Sequence, residues 1–323
     1  MCTAVSFCTS SHYFGRNLDL EFHYNECVTV TPRNYPFIFR DTKTVRNHFA
    51  MIGMATIADG YPLYYDATNE HGLSAAGLNF PDHAVYFPAT EGCENVASFE
   101  LIPWLLSQCK TVHEAKMLLK NANITNKPFS KEYPPSPLHW ILSDADCSVT
   151  VESVSDGLQV VDNPVGILTN SPPFAYHMYN LSNYMNLTSR EPNNRFSDNL
   201  LLQKYSRGMG AIGLPGDLSS ASRFIRASFI KENSVCANEE CASVSQFFHI
   251  LDAVAQQRGC VRLDDKYEIT VYSSCCNTNS GVYYYKTYDN SQLTAVNMFH
   301  ADIDGTKLDC YPLRCSGNIF WEN

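Results

Sequence analysis

A cysteine stands directly behind the initiator methionine, in the sequence Met1-Cys2-Thr3. Removal of Met1 would make Cys2 the amino terminus, and that single residue would then carry a nucleophilic thiol and an α-amine that can transfer protons. The α-amine has an ordinary pKa of about 7.7–8.0, so a useful fraction is free base near neutral pH. Such a residue needs no separate histidine base. We therefore predict that the mature protein begins at Cys2.

Two charged residues, Arg16 and Asp19, lie one hairpin away from Cys2. An arginine beside a thiol favours the thiolate, and a carboxylate beside an α-amine can hold and orient it. On a regular strand these two positions point to opposite faces of the sheet. If both residues serve one site, we expect a bulge or bend between them.

The elements that must position these residues follow from local patterns. Short β-branched and aromatic runs predict strands, and capping boxes at Thr111–Glu114 and Ser243–Gln246 predict helix starts. Strands are predicted over 2–7, 28–32, 36–39, 48–57, 73–80, 138–142, 148–152, 166–169, 267–272, 281–287 and 293–298. Helices are predicted over 97–109 and 111–119 and in a block over 173–257 that stops at Gly259. This order of strands and helices predicts one α+β domain over residues 1–323. A four-layer αββα sandwich would have such an order.

Composition narrows the function classes. The 323-residue chain has a formal net charge of −10 and no basic run, which argues against nucleic-acid binding. No stretch approaches the roughly 20 apolar residues that cross a membrane, and no signal-peptide pattern opens the chain. We therefore expect a cytoplasmic protein whose 13 cysteines are mostly reduced thiols. Their spacing is not that of zinc ligands, so we expect no metal.

One motif resembles a dinucleotide fingerprint by its letters alone. Gly208, Gly210 and Gly213 have the G-x-G-x-x-G spacing, but a true fingerprint follows a strand and opens a helix. Leu214-Pro-Gly-Asp217 follows instead. The sequence here predicts a flexible loop.

A set of spaced motifs resembles the choloylglycine hydrolases, the bile salt hydrolase and penicillin V acylase group of the N-terminal nucleophile hydrolases. The resemblance runs in order along essentially the whole chain. The motifs are Met1-Cys-Thr3, Phe14-Gly-Arg-Asn-Leu-Asp19, Asn69-Glu-His-Gly72, Gly77-Leu-Asn-Phe-Pro81, Leu138-His-Trp140, Leu168-Thr-Asn-Ser-Pro172, Gly213-Leu-Pro-Gly-Asp217, Ala221-Ser-Arg-Phe224 and Gly281-Val-Tyr-Tyr-Tyr285.

The resemblance implies an αββα fold, no cofactor, frequent assembly as a homotetramer, and a role for each matching residue. Cys2 would be the nucleophile, Arg16 would lie beside its thiol, and Asp19 would contact its α-amine. Asn79 and Asn170 would form the oxyanion hole and position the scissile amide. Arg223 would complete the polar site.

Asn79 narrows the choice of substrate class. Within the family, asparagine at this position is typical of bile salt hydrolases, whereas penicillin V acylases tend to carry an aromatic residue. A steroid needs a largely apolar pocket. The candidate walls are Leu18, Phe22, Ala58, Tyr65 and Tyr133, although each could equally pack the core. The alternatives are an acylase of penicillin V or acyl-homoserine lactones, and a non-catalytic binding protein that retains Met1.

Overall fold

A computed structural model describes residues 1–317 and 319–323. The strands, in chain order, are β1 Cys2–Cys8, β2 His12–Leu20, β3 Cys27–Thr31, β4 Met51–Ala58, β5 Tyr61–Asn69, β6 Ser74–Asn79, β7 Glu94–Ala97, β8 Ala122–Thr125, β9 Leu138–Ser143, β10 Ser148–Val154, β11 Gly157–Asp162, β12 Ile167–Leu168, β13 Arg262–Leu263, β14 Lys266–Tyr267, β15 Ile269–Asn277, β16 Val282–Thr287, β17 Asn290–Asn297 and β18 Asp309–Pro312. The α-helices are α1 Leu101–Leu106, α2 Val112–Leu119, α3 Phe174–Leu181, α4 Ser220–Glu232 and α5 Glu240–Asp252.

Two large sheets form the centre of the molecule. A six-stranded sheet has the order β12-β1-β2-β15-β16-β17, and an eight-stranded sheet has the order β11-β10-β9-β6-β5-β4-β3-β18. Helices α3, α4 and α5 share a hydrophobic cluster with the six-stranded sheet, whereas α1 and α2 share one with the eight-stranded sheet. The predicted four-layer αββα sandwich is confirmed.

The hairpin of β1 and β2 carries the sequence-predicted nucleophile. Its register runs without a break from Cys2 opposite Leu18 to Cys8 opposite His12. Both faces of this hairpin are covered, so nearly all of its residues are buried and no polar alternation marks the strands. Arg16 faces the eight-stranded sheet, where it donates to carbonyl groups, while Asn17 faces α5 and donates to a carbonyl there.

Two local predictions in the first half of the chain have different outcomes. The predicted helix start at Thr111 is confirmed, because its side-chain oxygen accepts the Glu114 backbone N–H at 3.2 Å, but the reciprocal bond of a capping box is absent among the described residues, since Glu114 Oε2 accepts the Lys110 backbone N–H instead. The strand over 36–39 is wrong, and Phe37 instead forms an isolated bridge to Val45. Phe37 and Phe39 are buried with their rings stacked 5.6 Å apart, so this apolar run packs into the core without joining a sheet.

The helical block over 173–257 is also partly wrong. The chain between α3 and α4 contains only two short 3₁₀ turns, Ser182–Tyr184 and Met209–Ala211, among irregular backbone, which includes the predicted glycine loop. The second capping box is wrong because α5 begins at Glu240, three residues early, and the Ser243 hydroxyl bonds Thr9 instead. The predicted stop at Gly259 is likewise late, since α5 ends at Asp252. Within the described ranges, no helix is long and apolar enough to span a membrane.

Candidate active site

Cys2 lies at the start of β1, inside the six-stranded sheet. It is 3% exposed. Its backbone N–H donates to Asn170 Oδ1 at 2.8 Å, and its carbonyl oxygen accepts a hydrogen bond from Arg223. The backbone N–H and the carbonyl oxygen of Cys2 are therefore both hydrogen-bonded to side chains that the family resemblance had implied for the same site.

Arg16 approaches from the layer between the two sheets. Its Nη1 donates to the carbonyl oxygens of Tyr65 at 2.9 Å and Gly77 at 2.6 Å. A register shift between β4 and β5 leaves Tyr65 outside the cross-strand pairs, which explains why its carbonyl is free to accept from Arg16. Arg16 Nη2 is buried and has no hydrogen-bond partner among the described residues. Burial opposes the arginine charge, but the neighbouring Cys2 thiol and nearby acidic groups leave the pKa of Arg16 raised.

Asp19 approaches from the opposite face of β2, on the helix side. Its Oδ1 accepts from the Thr270 hydroxyl at 2.6 Å, while its Oδ2 lies 4.0 Å from Arg223 Nη1. Oδ2 has no hydrogen-bond partner in the part of the chain that the structure describes. Burial raises the pKa of Asp19 to about 6, against the lowering effects of Arg223, the amino terminus and Thr270.

The predicted bulge between Arg16 and Asp19 is not in β2. That strand keeps its register with β1, and the two side chains do point to opposite faces. The register shift occurs in β15, between Thr270 and Tyr272, where Thr270 pairs with Asp19. Because Cys2 lies at the end of its strand, its thiol and its backbone nitrogen can be approached from the two sides of the sheet.

Asn170 and Arg223 join the amino-terminal strand to the neighbouring segments. Asn170 Oδ1 accepts from Cys2 N–H and from Arg223 Nη2, and its Nδ2 donates to the Asn79 carbonyl oxygen at 2.7 Å. Two donors at one atom and an acceptor at the other define the orientation of this amide. Arg223, in the first turn of α4, also donates to Thr3 Oγ1. Burial lowers the pKa of Arg223, although Asp19 and Cys2 act in the opposite direction.

Asn79 ends β6 with an exposed side chain. Its neighbours Leu78 and Phe80 are fully buried. The structure thus brings Cys2, Arg16, Asp19, Asn170 and Arg223 together, and it connects Asn79 to them through its backbone carbonyl.

A model of the family described as linear amide C–N hydrolases, choloylglycine hydrolase family, matches residues 2–311. The chain belongs to the choloylglycine hydrolase family. It is 51% identical to a bile salt hydrolase/transferase from Lactiplantibacillus plantarum over 324 residues, covering 100% of both chains. It is 38% identical to a bile salt hydrolase/transferase from Clostridium perfringens, covering 96% of each.

Solved structures agree with this family assignment. A mutant conjugated bile acid hydrolase from Clostridium perfringens matches with a TM-score of 0.92 at 36% identity, over 100% of both chains. A penicillin V acylase from Agrobacterium tumefaciens matches with a TM-score of 0.73 at 16% identity, over 96% of this chain and 90% of that one. The second likeness shows the shared N-terminal nucleophile hydrolase fold. Choloylglycine hydrolase family membership makes this chain an amide hydrolase.

The five candidate pocket walls are not equivalent. Leu18 and Ala58 are buried, whereas Phe22 is 43% exposed and packs edge-on against Tyr24. Tyr133 lines a cavity of about 620 Å³ together with Tyr24 and Thr56. The Tyr65 hydroxyl reaches the same cavity wall through a 2.9 Å hydrogen bond with Thr56. Tyr65 thus links this cavity to Arg16, to which it offers its carbonyl.

Sequence reasoning missed several buried groups beside the site. Glu268 accepts a hydrogen bond from the Met1 amine, which also donates to the Asp19 carbonyl oxygen at 2.6 Å. Asp66 lies between the sheets and accepts from the hydroxyls of Tyr272 and Tyr283 at 2.8 and 2.7 Å. No local signal marks these residues, because each reaches its partner from a distant part of the chain. Across the described ranges, no group of three His, Cys, Asp or Glu side chains could hold a metal ion.

Proposed function

We propose that this chain cleaves the amide bond of glycine- or taurine-conjugated bile salts through Cys2, as a single domain over residues 1–323 from which Met1 has been removed. The observation that carries the proposal is the convergence of Arg16, Asp19, Asn170 and Arg223 on Cys2, at the start of β1. The 51% identity to a bile salt hydrolase/transferase supports the substrate class.

Acylation begins with the thiol of Cys2. The unpaired Nη2 of Arg16 provides a positive charge that favours the thiolate. After removal of Met1, the α-amine of Cys2 occupies the position of the present backbone nitrogen, where Asn170 Oδ1 accepts its hydrogen bond. The unpaired Asp19 Oδ2 is an acceptor for a further proton of that amine. The α-amine takes the thiol proton and becomes an α-ammonium. The thiolate attacks the amide carbonyl carbon, and the carbonyl electron pair moves to oxygen.

The negative oxygen then needs a hydrogen-bond donor. The exposed side-chain amide of Asn79 lies at the edge of the site and supplies it. We propose a different role for Asn170 from the one that the family resemblance implied, since its Oδ1 already accepts two hydrogen bonds and its Nδ2 donates to the Asn79 carbonyl oxygen. We assign it to holding the α-amine and the Asn79 segment in position.

Collapse of the tetrahedral intermediate breaks the carbon–nitrogen bond. The α-ammonium of Cys2 gives a proton to the departing nitrogen, so glycine or taurine leaves as an amine and a thioester remains. The same α-amine, now free base, takes a proton from water as the water attacks the thioester. The free bile acid leaves, and the thiolate of Cys2 is restored without any cofactor.

We further propose a cytoplasmic homotetramer. All thirteen cysteines are free thiols, which suits a reducing compartment. The irregular segment between α3 and α4 exposes large apolar side chains that would be covered on assembly, with Met185 84%, Phe196 81%, Leu201 89% and Tyr205 82% exposed. Light scattering coupled to gel filtration measures the mass. A monomer at micromolar concentration would contradict the tetramer.

The deciding experiment combines intact mass with product analysis. We expect purified protein to lack Met1, and we expect it to release taurine from taurocholate and glycine from glycocholate faster than it cleaves penicillin V or an acyl-homoserine lactone. Active protein that retains Met1 would overturn the mechanism. Preferential cleavage of penicillin V or a lactone would overturn the substrate assignment, and inactivity toward all four compounds of a protein that retains Met1 would favour the non-catalytic alternative.

A further inference from the structure

A buried histidine–glutamate pair lies beside the site without belonging to it. His139 on β9 is fully buried, and Glu152 on β10 is 4% exposed. The β9–β10 pairing ends with Trp140 opposite Val151, and His139 and Glu152 are the next residues along the two strands. His139 Nδ1 lies 3.0 Å from Glu152 Oε1, and His139 Nε2 lies 2.9 Å from the carbonyl oxygen of Thr169.

The partners of this pair determine where its protons lie. Both ring nitrogens of His139 face oxygen atoms, but a neutral imidazole has only one N–H. Because the Thr169 carbonyl can only accept, Nε2 donates to it, and a second proton lies between Nδ1 and Glu152 Oε1. The same Oε1 accepts the backbone N–H of Phe174 at 3.0 Å, at the start of α3. The pair therefore links β9, β10 and the start of α3 through a buried hydrogen-bond network.

His139 also contacts the strand end that carries Asn79. Its ring stacks on Phe80, with centroids 4.2 Å apart and an angle of 7° between the planes. Phe80 directly follows Asn79, and Thr169 directly precedes Asn170. One side chain thus touches both segments that supply the site's asparagines, one residue away from each.

These two segments are already joined at the surface of the site. Asn170 Nδ2 donates to the Asn79 carbonyl oxygen, and Ser171 Oγ donates to the Pro81 carbonyl oxygen, both at 2.7 Å. The Asn170 backbone also has hydrogen bonds with Ser220 and His177, and the Phe80 N–H donates to the Pro137 carbonyl oxygen, but these bonds join each segment to other parts of the fold. Contact from His139 on the buried side adds a further connection between the two segments, since it holds Phe80 by stacking and Thr169 by a hydrogen bond.

We infer that His139 and Glu152 are positioning residues, which fix the relative placement of the 79–81 and 169–171 segments and through them the Asn79 side chain and the Asn170 acceptor for the Cys2 amine. This inference rests on the proposed role of Cys2. The two residues act on the acylation step and not on substrate affinity, because the candidate pocket walls come from other segments.

The kinetic test is the variant His139→Gln. Glutamine can donate to the Thr169 carbonyl, but it lacks the ring that stacks on Phe80 and cannot bond Glu152 at the same time. We expect kcat for taurocholate to fall by about 10- to 100-fold with KM nearly unchanged, since small misplacement of reacting groups has effects of this size. Glu152→Gln, which keeps the shape but removes the proton acceptor, should lower kcat in the same direction.

His12→Gln is the matched control. His12 is also a buried histidine between the two sheets, with hydroxyl partners Ser6, Ser143 and Thr278, at the other end of the hairpin. The His12→Gln variant should lose stability while keeping kcat within about twofold of wild type. If His139→Gln keeps kcat within about twofold, or if both variants lose kcat in proportion to their stability, the positioning role is wrong.

A measurement without substrate separates this inference from the proposed function. Hydrogen exchange followed by mass spectrometry should show faster exchange at 79–81 and 169–171 in His139→Gln, and unchanged exchange there in His12→Gln. If wild-type protein hydrolyses no bile salt, the proposed function fails, and the exchange result alone then decides the positioning. Unchanged exchange in both segments of His139→Gln would overturn it.

Discussion

The two ends of the β1–β2 hairpin bury polar side chains in different ways. At the closed end, the ring nitrogens of His12 lie 3.0–3.1 Å from three hydroxyl groups, and burial lowers the pKa of His12 to about 4. At the open end, Arg16 Nη2 and Asp19 Oδ2 are buried but lack hydrogen-bond partners among the described residues. At the closed end, both ring nitrogens of His12 have hydrogen-bond partners. At the open end, a buried donor and a buried acceptor have none among the described residues.

The difference between the two ends indicates which one contributes to stability and which one suits the proposed mechanism. A buried polar atom without a partner costs about 1–3 kcal/mol, so each one in a fold calls for an explanation. The closed end has no such atoms in its histidine cluster and therefore acts in stability. The open end holds a donor and an acceptor that a thiolate and a terminal amine can satisfy, which is the state that the proposed mechanism requires.

The largest expected effect distinguishes the two cysteines that begin and end β1. Cys2→Ser should reduce bile salt hydrolysis by about 10³-fold or more, because serine is a far weaker nucleophile at its own pKa. Cys8→Ser, at the exposed closed end, should leave kcat unchanged. Steady-state hydrolysis of taurocholate measures both. Residual activity above about a tenth in Cys2→Ser would disprove the nucleophile assignment.

The next effect concerns Asn79 at the open end. Asn79→Ala should lower kcat by about 10²-fold, the usual cost of one oxyanion donor. Asn47→Ala, another exposed asparagine, provides the control and should have no effect.

Substitution of the same residue also tests substrate choice. Asn79→Tyr introduces an aromatic residue, the type that penicillin V acylases tend to carry at this position. The variant should have a lower kcat/KM for taurocholate relative to that for penicillin V. An unchanged ratio would show that position 79 does not select between the two substrates.

The smallest expected effect is at the closed end and concerns stability alone. The pKa of His12 is about 4 in the fold and about 6.5 when unfolded, so the unfolded chain binds the proton more readily between these values. The stability that neutral His12 provides is present above pH 6.5 and is lost as the pH falls toward 4, by about 3 kcal/mol at most. Thermal unfolding of His12→Gln should show a weaker dependence on pH in that window. An identical pH dependence in wild type and variant would mean that His12 does not titrate there.

The sequence by itself predicted a chemistry for the chain's first residues. Cys2 behind Met1, with Arg16 and Asp19 one hairpin away, indicated a thiol that could use its own amine, and the ordered motifs indicated the family and the αββα fold. The family and the fold are confirmed, because ordered motifs depend on residue type and local spacing, whereas the roles of Cys2, Arg16 and Asp19 stay predictions. The helix predicted over the segment between α3 and α4 was wrong, and so was the late start assigned to α5. Ser243 followed by Gln246 has the local pattern of a helix start although both residues lie inside α5.

Only the tertiary structure decided which contacts the candidate site residues make. Asn170 meets Cys2 across 168 residues of chain, and Thr270 meets Asp19 across 251, so no local pattern could report either contact. The same holds for the register shift in β15, the Tyr65 carbonyl that accepts from Arg16, and the His139–Glu152 pair that contacts both asparagine segments. Burial makes each of these contacts specific, because a polar group removed from water must find its partner within the fold, and only the packing of distant strands determines which partner is there.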